Sequence, residues 1–106
     1  MKKDEWIQQP MDERLQWYDE QLSKLQNNLQ KQQVPGTVQD LLKEIKMRMI
    51  YDNTPSEERS VESEEQKKYH SLIYKAYKKL PNMDTSTEDW SKPLEKTRAI
   101  ITEGRQ

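Results

Sequence analysis

Six apolar residues near the start of this chain, Met11, Leu15, Tyr18, Leu22, Leu25 and Leu29, follow one another at steps of four, three, four, three and four. This is the a/d seam of a heptad repeat. It demands a helix, and it demands something packed along that helix. In this frame Leu15, Leu22 and Leu29 are a positions and Met11, Tyr18 and Leu25 are d positions. The seam alone does not identify what covers it, whether another segment of the chain or a second copy.

Helix starts and stops punctuate the rest. Pro10, Pro55 and Pro93 each precede an acid by two residues. Proline is tolerated at a first helical position, and acids in the first turn favour the positive end of the helix dipole. Thr54 before Pro55 adds a cap, with Glu57 three residues on. At Pro35-Gly36-Thr37 the glycine ends one helix and Thr37 caps the next, with Asp40 following. Stops are read at Gln33–Gly36, Asp52–Pro55, Pro81-Asn82 and Gly104. The expected elements are helices over 10–33, 38–52, 55 or 62 to 80, and 93–103. A helical turn at 3–8 carries Trp6 and Ile7, and a polar connection at 82–92 holds Trp90.

Each later helix has a sided apolar face. The second carries Val38, Leu41, Leu42, Ile45 and Met49. The third carries Tyr69, Leu72, Ile73, Ala76, Tyr77 and Leu80. The fourth carries Leu94, Ile100 and Ile101, with Thr97 between. Such stripes bury themselves against one another. The fold class expected is all-α, a small antiparallel bundle of three to four helices. Residues 1–106 are expected to form a single domain, since 106 residues leave room for one core. With 31% of residues hydrophobic and 35% charged, that core requires nearly every apolar side chain. Eight per cent aromatics and clear periodicity argue against disorder.

Composition excludes much chemistry. There is no Cys, hence no disulfide, thiolate zinc site or cysteine nucleophile, which suits a reducing cytoplasm. His70 is the one histidine and reads as a surface residue, so no metal site or base–nucleophile pair can be assembled around it. Two glycines leave no phosphate-binding loop. No catalytic residue, cofactor or metal is expected, nor an enzyme. No apolar run approaches the about 18 residues of a membrane span. Met1-Lys2-Lys3-Asp4-Glu5 has no apolar stretch behind it, unlike a signal peptide. Eighteen Lys and Arg against 19 Asp and Glu disfavour a globally basic nucleic-acid binder.

Three features stand apart from the stripes. Trp17 falls at position c, off the seam, and needs a second contact. The last helix or the turn at Trp6 and Ile7 could supply it, or Trp17 could anchor a partner. Met47, Met49, Ile50 and Tyr51 point in several directions at the end of the second helix, as in an adaptable contact patch. Finally, an acidic stretch (Asp52, Glu57, Glu58, Glu62, Glu64, Glu65, relieved by Arg59) gives way to Lys67, Lys68, Lys75, Lys78 and Lys79. The acids and bases suit the two ends of one helix dipole, with Glu64 and Lys68 as an i,i+4 pair. The alternative is a nucleic-acid face, the lysines neutralising phosphates and Tyr74 stacking on a base. The pairs Asp12-Glu13 and Asp19-Glu20 recur one heptad apart at e and f and read as solvated flanks.

The function expected is a non-enzymatic protein–protein interaction module that binds another protein through Trp17, Met47, Ile50 and Tyr51. Charged, Cys-free bundles of this size recur among bacterial and phage adaptors, inhibitors and immunity proteins, an analogy of size and class only. Two alternatives are a nucleic-acid-binding accessory protein using the helix at 66–80 and a homodimer assembled along the seam.

Overall fold

The computed structural model describes residues 3–30, 35–53, 63–80 and 90–105, without the side chains of Leu29, Gln30, Pro35, Gly36, Thr37 and Ser91. Five helices follow in order: α1 Lys3–Ile7, α2 Met11–Gln30, α3 Pro35–Asn53, α4 Glu64–Lys79 and α5 Ser91–Gly104. Among the described residues there is no strand. The chain is an all-α bundle. The turn expected at 3–8 is a helix of its own.

The helix boundaries correct two readings. α3 begins at Pro35, so Thr37 lies inside the first turn instead of capping it. Pro35 supplies the start by itself, because a first-turn proline forfeits no helical bond. α5 begins at Ser91, so Pro93 is third in the helix and not first. That position is tolerated for the same reason: the ladder begins only with Leu94 N–H donating to Trp90 O at 3.0 Å. Gly104 is the last residue of α5, where the stop was expected; a Cβ there would overlap Leu72 Cδ1. The glycine serves a close approach of α5 to α4. Ser63 caps α4: its Oγ accepts from Gln66 N–H at 3.2 Å, and Gln66 Oε1 accepts from Ser63 N–H at 3.1 Å. This capping box starts the helix at Glu64. The expected start at Thr54-Pro55 with Glu57, the stop at Gln33-Val34, the stop at Pro81-Asn82, the remaining acids to Glu62 and the connection to residue 89 lie outside the described residues.

α2 packs on α3 and α5, α4 packs on α3 and α5, and α1 rests on α3. The four longer helices thus close a ring. Cross-contacts fix their directions. Arg14 at the start of α2 meets Asp52 at the end of α3. Asp52 in turn meets Tyr69 in the first half of α4, and Gly104 at the end of α5 meets Leu72 of α4. Neighbours therefore run antiparallel, as short links require.

All five helices feed one apolar cluster. Leu15, Tyr18, Leu22 and Leu25 are buried and Met11 is half-buried, so the seam of α2 faces the interior of this chain. Val38, Leu42, Ile45 and Met49 join it from α3. Tyr69, Ile73, Ala76 and Leu80 come from α4, and Leu94, Thr97 and Ile101 from α5. Trp90, expected in a polar connection, is buried at the N-cap of α5. The side chain of Leu29 lies outside the described residues.

Candidate functional site

The interior is not wholly apolar. Asp52 is fully buried, and its carboxylate accepts hydrogen bonds from four side chains. Oδ1 accepts from Arg14 Nη1. Oδ2 accepts from Tyr18 OH, from Trp6 Nε1 at 3.2 Å and from Tyr69 OH at 3.3 Å. The donors come from α1, α2 and α4, so three helices converge on one side chain of α3. A buried charge is tolerated only when paired and hydrogen-bonded. Here Arg14, itself buried, supplies the countercharge and three neutral donors complete the shell. The Arg14 guanidinium also lies over the Tyr69 ring, 4.9 Å from its centroid. Among the described residues Arg14 Nε is buried without an acceptor.

Asp52 was counted with the acidic stretch that follows it and is instead the polar centre of the core. The signal was present. Val38, Leu42, Ile45, Met49 and Asp52 continue at steps of four, three, four and three, so Asp52 occupies the next position of the α3 seam. Tyr18 gave the complementary signal, since a seam tyrosine brings a hydroxyl that must find a partner.

The Tyr18 hydroxyl is pushed well above its ordinary value of 10.0 by burial first, then by the Asp52 carboxylate and by Tyr69, with the Trp6 contact opposing. The folded state therefore holds this proton more tightly than the unfolded chain does. The resulting stability is fully present below about pH 10 and is lost as pH rises above it. Unfolding free energy measured by urea titration is expected to decline from about pH 10 upward. The part of that decline due to this group should vanish in Tyr18→Phe.

A second layer surrounds the first. Trp6 packs edge-to-face on Trp17 at 5.2 Å and on Tyr18 at 5.6 Å, and Trp17 packs on Tyr18 at 5.5 Å. The Arg48 guanidinium lies 4.7 Å from the Trp6 ring and 4.2 Å from the Trp17 ring. Glu44 holds it from the same helix at 2.7 Å. Trp17 is thus half-buried, covered by Trp6 of α1 and by Arg48. Of its two internal covers, the turn at Trp6 is the one found.

The residues expected to bind a partner separate into two groups. Met49 belongs to the core. Met47 is 42% exposed and Ile50 48% exposed, with Tyr51 half-buried beside them. Met47, Ile50 and Tyr51 share the outer side of α3, because residues three and four apart on a helix are neighbours. Lys43, one turn before Met47, is exposed on the same side. Arg48, next to Met47 in the chain, lies over the Trp17 ring of α2.

On α4, Lys67, Lys68, Lys75, Lys78 and Lys79 are exposed and Tyr74 is 50% exposed. Lys78 Nζ lies 4.6 Å from the Tyr74 ring centroid, over one face of the ring. Glu64 pairs with Lys67 at 3.7 Å, one residue short of the expected Lys68. Lys68 instead lines a cleft of about 500 Å³ whose apolar floor includes Met11, Leu15 and Leu72. Both Glu64 and Lys67 are exposed, so their pair contributes little. His70 is half-buried against Tyr69 and not a plain surface residue. Asp19 is more than a solvated flank: it accepts from Arg98 Nε at 3.2 Å and from Arg105 Nη1 at 2.6 Å, tying α2 to α5.

Among the described residues no three His, Asp or Glu side chains converge as metal ligands. No helix among them is long and apolar enough to cross a membrane. Comparison with protein-family models, with curated proteins and with solved structures finds no match for this chain.

Proposed function

We propose that this chain is a non-enzymatic interaction module that docks another protein on the outer side of α3. The observation that carries the reading is the exposure of Met47 and Ile50 on one helical side, next to half-buried Tyr51. In a chain with so few apolar residues, leaving two large ones in solvent forgoes core that the fold could use. Methionine beside an aromatic edge adapts to varied apolar surfaces. Lys43 has no carboxylate partner among the described residues. The partner fitting this side is an amphipathic helix with an acid flanking its apolar residues.

The test uses the tagged full chain and its Met47→Ser/Ile50→Ser variant. Both positions are exposed, so the variant should unfold within about 1 kcal/mol of the wild type. A partner recovered by the wild type and remade with purified components should bind the variant at least about tenfold more weakly. Equal binding by both chains sinks this surface. Binding of an oligonucleotide at low salt, lost on replacing Lys75, Lys78 and Lys79 by Glu, would favour the nucleic-acid reading instead.

A further inference from the structure

The four long helices do not enclose the core equally along its length. α2 and α4 both pack on α3 and run antiparallel to it, so their first turns lie at the same end of the bundle. α5 runs towards that end and stops short of it. Its last residue, Gly104, stands against Leu72 of α4, and Arg105 gives Nη1 to Asp19 of α2 at 2.6 Å. Leu72 comes eight residues after Glu64, and Asp19 comes eight residues after Met11. Both walls therefore continue for about 12 Å beyond the end of α5. The apolar stripe of α5 gives out at the same place. Leu94, Thr97 and Ile101 follow at steps of three and four, and the next step of three reaches Gly104, which has no side chain to contribute.

The result is the cleft of about 500 Å³ that Lys68 lines. Its size falls within the range of about 300–1,000 Å³ usual for small-molecule sites. Met11 and Leu15 of α2 and Tyr69 and Leu72 of α4 make it apolar. Its charges are sorted along its length. Asp12 and Glu65 stand in the first turns of opposite walls, at the outer end. Lys68 stands one turn further in, and Arg105 stands at the end of α5. Among the described residues Asp12, Glu65 and Lys68 have no ion-pair partner. Arg105 keeps N–H donors beyond the one given to Asp19. Two acids and two bases leave no net charge, so an amphipathic anion or cation meets repulsion as well as attraction. A ligand with both charges on an apolar body meets attraction at each end.

We propose that this cleft binds a short apolar peptide of two or three residues with both termini free. The peptide ammonium meets Asp12 and Glu65, its carboxylate meets Lys68 and Arg105, and its side chains rest on Met11, Leu15 and Leu72. The length follows from the spacing of the charges. Glu65 to Lys68 is three residues, about 4.5 Å of helix, and Glu65 to Leu72, beside which α5 ends, is seven residues, about 10 Å. An extended chain spans about 3.5 Å per residue, so two or three residues set the termini about 7–10 Å apart, and a single amino acid is too short. The cleft lies between α2 and α4, so this inference is independent of the docking side of α3.

The experiment is isothermal titration calorimetry of the full chain with the tripeptide Leu-Ala-Leu. Binding should saturate at one site with a Kd below about 1 mM. Acetylating the peptide amine, or amidating its carboxylate, should each weaken binding at least about threefold, as expected for loss of a partly exposed ion pair. The variant Glu65→Gln/Lys68→Met should bind Leu-Ala-Leu at least about tenfold more weakly. Both positions are exposed, so its urea midpoint should stay close to that of the wild type. Met47→Ser/Ile50→Ser should bind the peptide as the wild type does. Absence of saturation overturns the proposal, and so does equal binding of the doubly blocked peptide or equal binding by Glu65→Gln/Lys68→Met. Octanoate or octylamine binding more tightly than Leu-Ala-Leu overturns it as well, since the site would then select a single charge. Loss of binding in Met47→Ser/Ile50→Ser would put the peptide on α3 and overturn it too.

Discussion

Asp52→Ala is expected to destabilise the chain by about 3–5 kcal/mol, because it leaves the buried Arg14 charge without its partner. Tyr18, Tyr69 and Trp6 each lose their acceptor in the same stroke. A domain of this size has only about 5–15 kcal/mol in hand, so the variant should lose a large fraction of its stability and unfold at a much lower urea concentration. Far-UV circular dichroism with urea titration measures it. The double replacement Asp52→Leu with Arg14→Met separates the charge from the neutral donors. Removing both charges together is often neutral, so the double variant should recover a substantial part of the loss. The remainder belongs to the two hydroxyls and the indole N–H, which lose the same acceptor in both variants. An Asp52→Ala midpoint within about 1 kcal/mol of the wild type would mean that water reaches the site and replaces the carboxylate.

Leu22→Asp should be as damaging for a different reason. Leu22 is fully buried in the middle of the α2 seam, within the apolar cluster. The change removes apolar burial and places an unpaired charge in the core, with an expected cost above about 4 kcal/mol. The measurement is helical signal together with sedimentation. An unfolded chain agrees with a seam turned into its own bundle. A folded, monomeric Leu22→Asp derived from a dimeric wild type would instead place the seam between copies and revive assembly along it.

The contrast between these two positions shows what periodicity can and cannot reveal. Both lie on a heptad seam, and their spacing is equally regular. Spacing places a residue on a face; it does not reveal whether that face offers a countercharge. Asp52 was therefore counted with the acids that follow it, although its position on the α3 stripe marked it as internal. Trp17 shows the same limit. Position c correctly announced a contact outside the seam, but its covers, Trp6 and Arg48, come from two other helices. Likewise Gly104 reads as a helix stop in the sequence and does close α5, but only its distance from Leu72 shows a packing role.

Helices, their sided faces and the all-α class followed from the sequence alone, because those signals act over three or four residues and need no partner to be read. The capping box at Ser63 and Gln66 is of the same local kind. Tertiary structure decided where the charges end up. The groups that make Asp52 tolerable stand 46, 38, 34 and 17 positions away along the chain, at Trp6, Arg14, Tyr18 and Tyr69. A buried carboxylate is stable only as the sum of those donors, and that sum exists only once four helices have met.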